Sequence, residues 1–254
     1  MSNFSILVLV IFLVLSPSGF PKDQIQACGK GQHWVRPHHR SAYFRADGTH
    51  VSAANVIGHC QTNPTGFDFW NPKKKNGLPP GWEHPQEKPK KWTDKDWERV
   101  LEALSELPET LWVPTIEGLY RLEKSVFDPN PASGEPGNIA LYDPAFTSKD
   151  KLAQTLAHEL AHELYRNFNE DELASYRDAT QWFQKKIGKR THTIRGRSEK
   201  QFILPDGMDS PSDDFSNNIE YYLFNPQKLQ SVTPSAYQWI KQYYGDKLKL
   251  RGGK

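Results

Sequence analysis

The clearest periodic pattern in the chain lies between Thr147 and Arg166. Leu152, Leu156, Leu160 and Leu164 recur every four residues, and Ala153, Ala157 and Ala161 share their stripe. This spacing predicts a buried helix, with alanines where neighbouring elements approach closely. Thr147-Ser148-Lys149-Asp150 reads as its capping box, with Thr147 as N-cap and Asp150 at N3. A second amphipathic helix is expected from Trp97, Val100, Leu101 and Leu104, capped by Thr93 with Asp96 at N3 and stopped by Pro108. Ser210-Pro211 and Thr233-Pro234 each pair a capping hydroxyl with an N1 proline, so helices are expected from both, the last ending at Gly245. A further helix is expected from Asn169. Glu170, Asp171 and Glu172 stand in its first turn, Lys185 and Lys186 in its last, and Gly188 is its C′ residue, a charge order that suits the helix dipole. A basic loop then runs to Ser210.

Strand patterns are shorter. Residues 119–126 and 139–142 read as strands around an Asn/Pro/Gly-rich loop. Residues 20–91 have little periodicity and much Pro, Gly, Trp and His. Within them, Ala46-Asp47-Gly48-Thr49 predicts a turn between short strands at 41–45 and 50–56, and the prolines of 71–91 read as a linker. Strands followed by helices give an α+β order.

The start of the chain changes the picture. Residues 6–15 form an apolar run too short to span a membrane comfortably, followed by Ser16, Pro17, Ser18 and Gly19, so residues 1–19 are expected to be a signal peptide. Secretion or a periplasmic location follows, with no stable membrane insertion after cleavage. In an oxidising compartment the two cysteines, Cys28 and Cys60, are expected to pair. That disulfide would contribute roughly 3 kcal/mol in the chain-entropy model. The organisation expected is therefore a signal peptide (1–19), an irregular disulfide-tied extension and linker (20–91), and a main domain (92–254). A net charge of +2 carries no nucleic-acid signature. Positive charge is local, at Lys73, Lys74, Lys75, Lys88, Lys90 and Lys91, and again at Lys185, Lys186, Lys189, Arg190, Arg195, Arg197 and Lys200; solvated loops are the expected setting for both.

The buried helix also carries chemistry. His158-Glu159-Leu160-Ala161-His162 places two imidazoles four apart on one helical face, so both can reach one metal ion. Glu159 between them is positioned to act as general base on a zinc-activated water. Zinc needs a third protein ligand. Six residues beyond His162 stands Phe168, not a histidine, and Glu163, Glu170 and Glu172 are poorly placed. The helix from Ser210 is the better source, because Asp213, Asn217 and Glu220 stand at i, i+4 and i+7 on one polar face. Either Asp213 or Glu220 could complete the site, and a polar group one turn on could hold a ligand imidazole.

His158-Glu159-x-x-His162, followed about fifty residues later by a Ser-Pro-capped helix with an acid two residues before Phe215, resembles gluzincin-type zinc metallopeptidases. It is similar to lethal-factor-like peptidases and to exported bacterial zinc peptidases. The resemblance covers roughly residues 110–245. It implies a zincin-like domain, with a small mixed sheet, the H-E-x-x-H helix and a C-terminal helical part. It further implies Asp213 as the third ligand, the second acid's place taken by Asn217, and an E-Y pair at Glu220-Tyr221. Asp213 is shorter than the family's usual Glu, so Glu220 stays an alternative. By the same resemblance, the strand at 139–142 is the edge on which substrate would add, and His192, Tyr221 and Tyr222 are candidate oxyanion donors. The expected activity is endopeptidase cleavage of a protein or peptide, including cell-wall peptide, with one Zn²⁺. The alternative is a secreted cell-wall or polymer-binding module with a vestigial or structural zinc.

Overall fold

A computed structural model describes residues 72–251 in full and, before them, only short strand segments between residues 32 and 62. In these segments β1 (Gln32–Val35) pairs with β6 (His59–Thr62), β2 (His38–Arg40) with β5 (Ala54–Val56), and β3 (Tyr43–Phe44) with β4 (His50–Val51), all antiparallel. Paired residue numbers always add to 94, as in Gln32 with Thr62, His38 with Val56 and Tyr43 with Val51. The three pairs thus share one antiparallel register; the turn expected at 46–49 lies outside the described residues. The signal peptide and the Cys28–Cys60 pairing lie outside the described residues.

The main body is α+β. A four-stranded sheet has the order β7 (Lys73–Lys75), β8 (Gly118–Arg121), β10 (Asn138–Leu141), β9 (Ala132–Glu135). β7 and β10 run parallel to β8, and β9 is antiparallel to β10. The two central strands are buried along their whole length, as expected for a sheet covered on both faces. Leu119, Ile139 and Leu141 join the helical core on one face, while Tyr120, Leu122, Ala140 and Tyr142 meet Leu78 and Trp82 on the other.

That second cover corrects the expected linker. Residues 76–91 form a strap across the sheet. Its buried Glu87 accepts hydrogen bonds from the Tyr142 hydroxyl (2.7 Å), Trp82 Nε1 (3.1 Å) and the Val126 amide (2.8 Å). Proline removes periodicity from such a segment, but three donors to one buried carboxylate fix it without any.

α1 (Asp94–Glu106) is capped by Thr93 as expected, its hydroxyl accepting from the Asp96 amide. α2 (Lys149–Arg166) is the centre of the domain, packing on α1, α4 (Pro211–Phe224) and β9. Its N-cap is Ser148, one residue later than expected, because the Thr147 hydroxyl is spent on the Pro144 carbonyl. α3 (Glu170–Ala179) starts with the Asn169–Glu172 capping box but ends well before Lys185. Gln181 takes a positive φ of 55°, and the chain turns into an antiparallel hairpin, β11 (Trp182–Ile187) and β12 (Arg190–Arg195). The aromatic and β-branched residues of 182–194 outweigh the helix-like charge order. Gly188, the expected C′ residue, instead opens the two-residue turn with φ 63°. α5 (Pro226–Val232) and α6 (Pro234–Tyr243) complete the helical part.

Candidate functional site

α2 buries its leucines and presents His158, Glu159 and His162 beside α4. The two Nε2 atoms stand 3.1 Å apart, with the rings edge to face. Each outer nitrogen has its own partner on α4. His158 Nδ1 faces Glu220 Oε2 at 3.4 Å, and His162 Nδ1 lies 2.8 Å from Ser212 Oγ. Both rings are therefore held from behind, and their Nε2 edges point to a common spot. A carboxylate or hydroxyl on the outer nitrogen is the usual way to fix a ligand imidazole's tautomer and orientation.

The two alternatives for a third ligand stand on different sides of this pair. Asp213 Oδ1 lies 3.7 Å from His162 Nε2, on the convergent side. Glu220 sits behind His158. Asp213 is partly withdrawn, because its Oδ2 accepts a 2.5 Å hydrogen bond from Ser210 Oγ while Ser210 caps α4 by accepting from the Asp213 amide. As the side chains stand, no group of three or more His, Cys, Asp or Glu closes around one point among the described residues.

Glu159 is buried, and β9 runs beside it. A Cβ added to Gly134 would sit 2.9 Å from Glu159 Oε2, so glycine there makes room for the carboxylate. Glu159, His158, His162 and Asp213 open into a cleft of about 650 Å³, walled by Ser133 and Gly134 on one side and by Tyr165 and Arg177 on another. The sheet edge at this cleft is β9, not residues 139–142 as expected. β10 is hydrogen-bonded on both sides, to β8 and β9. Pro136-Gly137, with Gly137 at φ 78°, turns the expected loop into a β9–β10 hairpin.

Burial governs the electrostatics. It pushes the His162 imidazole down to about 3, reinforced by the His158 charge and Arg166. Burial also opposes charge on His158, but Glu220 and Glu159 overcome it and raise that ring above its ordinary value. Burial raises the Glu159 and Asp213 carboxyls above the usual range. Two imidazoles 3.1 Å apart cannot both hold a proton between them. One proton, or one cation, can occupy the space.

Zinc fits this donor set by a test of spacing and type. Donors held about 2.0–2.1 Å from a tetrahedral zinc lie about 3.4 Å from one another. The observed 3.1 Å and 3.7 Å bracket that value. Two imidazole nitrogens and one carboxylate are common zinc ligands, and the Asp213 side chain would have to turn off Ser210 to join them.

The other sequence candidates fall elsewhere. Glu163 is buried in an ion pair with Arg166 and accepts from Thr115 Oγ1 at 3.1 Å. Glu172 is used in the α3 capping box, and Glu170 stands exposed in the same turn. Asn217, expected to hold an imidazole, turns away and donates to Asp206 Oδ1 at 2.7 Å. Glu220 takes the place behind His158 instead. His192 is exposed on β12, the Tyr221 ring lies under Lys228, and Tyr222 packs on Tyr237, so none of these three lines the cleft. Ser212 and the β9 edge were not foreseen. A serine beside a helix cap looks like part of the cap, and Ser133-Gly134-Glu135-Pro136-Gly137 has the composition of a loop. No protein-family model matches the chain, and no curated protein or solved structure matches it either.

Proposed function

We propose that this protein is a zinc-dependent endopeptidase with a zincin-like domain, exported by its N-terminal segment, its extension tied by a Cys28–Cys60 disulfide. One observation carries the reading. Two imidazoles whose Nε2 atoms stand 3.1 Å apart are each braced from behind by α4, and Asp213 of the same helix faces His162 Nε2 at 3.7 Å. His158, His162 and Asp213 would hold the metal. Bound zinc would supply a Lewis acid that acidifies water and polarises a carbonyl.

The chain's own residues do the rest. Among the described residues β9 is the sheet's outer strand, so a peptide can add as a further strand with its backbone across the cleft. Glu159, beside that edge, takes a proton from water as its oxygen attacks the peptide carbonyl carbon. It then returns that proton to the amine nitrogen as the C–N bond breaks, leaving a carboxylic acid, which keeps water's other proton, and a free amine. Burial keeps the Glu159 carboxyl above the usual range, closer to the pH at which a base both accepts and returns a proton. The rival reading, a polymer-binding module with a structural zinc, would be closed by a fourth protein ligand and has no use for a buried carboxylate facing an open cleft.

Elemental mass spectrometry on the purified protein tests the reading. About one zinc per chain is expected, lost in Asp213→Ala. Folded protein without zinc at neutral pH would overturn it.

A further inference from the structure

The β11–β12 hairpin stands apart from the cleft and has no part in the chemistry above. Its root is fixed. Trp182 is buried, packs on Phe202, and donates from Nε1 to Asp214 Oδ2 at 3.0 Å; Arg197 is buried in an ion pair with the same carboxylate. The Gly196 amide closes the base on the Gln181 carbonyl at 2.7 Å. Beyond this root every residue from 183 to 196 is exposed. Six residues per strand project about 20 Å.

The exposed residues are sorted. Register pairs Phe183 with Ile194, Lys185 with His192 and Ile187 with Arg190, and directly opposed residues share a face. One face thus carries Phe183 (48% exposed), Ile187 (54%) and Ile194 (38%) among basic side chains. The opposite face, beyond Trp182, carries Gln184, Lys186, Thr191, Thr193 and Arg195. No Asp or Glu occurs between residues 179 and 198. Arg197 is held by Asp214, and Arg195 faces Glu199 at 3.8 Å. Lys185, Lys186, Lys189 and Arg190 have no carboxylate partner among the described residues.

We propose that this hairpin is a peripheral anchor that docks the protein on an anionic lipid surface. Three apolar side chains held in water on one face, one of them next to the tip, are costly unless something removes them from it. The interface of a bilayer accepts aliphatic and aromatic side chains a short way in, while lysine and arginine beside them meet the lipid phosphates. A nucleic acid would match the charge but presents a hydrated sugar-phosphate surface, not an apolar layer that could take up Ile187 and Ile194 together. Anchoring of this kind is reversible, and no helix of the described residues is long and apolar enough to cross a membrane. Since the root is tied to Asp214 of α4, an anchored hairpin would also fix the orientation of the cleft relative to the surface. Neither zinc nor proteolysis takes part in docking of this kind.

Vesicle co-sedimentation of the full chain tests it. Vesicles of phosphatidylcholine alone are compared with vesicles in which about one third of the lipid is phosphatidylglycerol. Binding about tenfold or more stronger to the anionic vesicles is expected, weakened by high salt. Phe183→Ser with Ile187→Ser, and separately Lys185→Glu with Lys189→Glu, should each weaken it about tenfold. All four positions are exposed, so circular dichroism should show the fold unchanged. The proposal is overturned if the anionic vesicles bind no better than neutral ones. It is overturned equally if neither double variant weakens binding, or if the apolar variant alone leaves binding unchanged while heparin competes for it. The last outcome would assign the hairpin to soluble polyanions.

Discussion

Asp213 and Asp214 stand side by side in the first turn of α4 and face opposite ways. Asp214 is fully buried and receives donors from every direction: Arg197, Trp182 Nε1 at 3.0 Å, the Tyr176 hydroxyl at 3.2 Å and Asn218 Nδ2 at 3.1 Å. Asp213 keeps about a third of its side-chain exposure, has one hydroxyl partner, and looks across at the His162 Nε2. The first is a closed network, in which a buried carboxylate is surrounded by protein donors, although burial still raises it above the usual range. The second is an open one, in which donor atoms are oriented by the scaffold but not satisfied by it. Closed networks hold folds together; open ones are where ligands go.

The comparison breaks most visibly at Asp214. Alanine there leaves the buried Arg197 guanidinium without its carboxylate, and unpartnered buried charges cost about 3–5 kcal/mol. Thermal or urea unfolding should show a loss of that order, with the hairpin root loosened. The matching change, Asp213→Ala, should cost metal-free protein about 1 kcal/mol or less, since its side chain is partly solvated. Equal losses at the two positions would erase the distinction between closed and open networks.

Next in size is Glu159→Gln. The amide keeps the shape and fills the same space beside Gly134, but cannot take a proton. Peptide turnover should fall about 10³-fold, with zinc content unchanged. Normal turnover would remove Glu159 from its assigned role. Gly134 supplies a companion probe. Valine there would drive into the Glu159 carboxylate, so activity should fall, with the melting temperature lowered as overpacking requires.

How much of this was readable in advance follows from how local each rule is. The capping hydroxyls of Thr93 and Ser210 and the N1 prolines after Ser210 and Thr233 act within one turn, and each starts its helix where expected; the Thr233 hydroxyl itself donates to Asn218 and the Leu229 carbonyl instead of capping. His158 and His162 share a face by helix geometry alone. Sequence spacing also brought Asp213 and Glu220 to the site, but could not say on which side of the imidazoles each would stand, because that depends on how α4 crosses α2. β9 was hidden for another reason. Its residues have loop composition, and it is a strand only because β10 lies beside it. Residues 180–195 misled by charge: a basic run after an acidic helix start imitates a dipole-matched C-terminus, while the period-two placement of Phe183, Ile187, Thr191 and Thr193 was the stronger signal. The strap was unreadable because one buried carboxylate, Glu87, holds it.

A smaller effect sharpens the open side. Glu220 touches His158 only at Nδ1, so Glu220→Gln should keep the fold and the ligand set while weakening the orientation of one imidazole. Zinc affinity, measured by competition with a chromogenic chelator, should drop about 10–100-fold. Complete loss of zinc would instead make Glu220 a ligand and move Asp213 to a supporting place. Ser212→Ala, acting at His162 through a neutral hydroxyl 2.8 Å from Nδ1, should fall at the lower end of that range.

The smallest effect concerns an acid outside both networks. Asp143 is about half exposed and pairs with Lys90 at 2.8 Å and with Arg121. Partial burial alone would raise its carboxyl, but hydrogen bonds from Lys90 and Arg121 outweigh that and hold it below the usual carboxylate range. A carboxyl lowered by folding stabilises the native state above its unfolded-state value, and that contribution is lost as pH falls through the folded-state value. Stability should therefore decline on the acid side, below the ordinary aspartate range of about 4, and the part due to Asp143 should vanish in Asp143→Asn. Because half of the side chain meets water, salt should shrink it. Urea midpoints compared across acid pH at low and high salt would read it out. An Asp143 contribution that survives high salt unchanged would mean that this pair, despite its exposure, belongs with the closed network around Asp214.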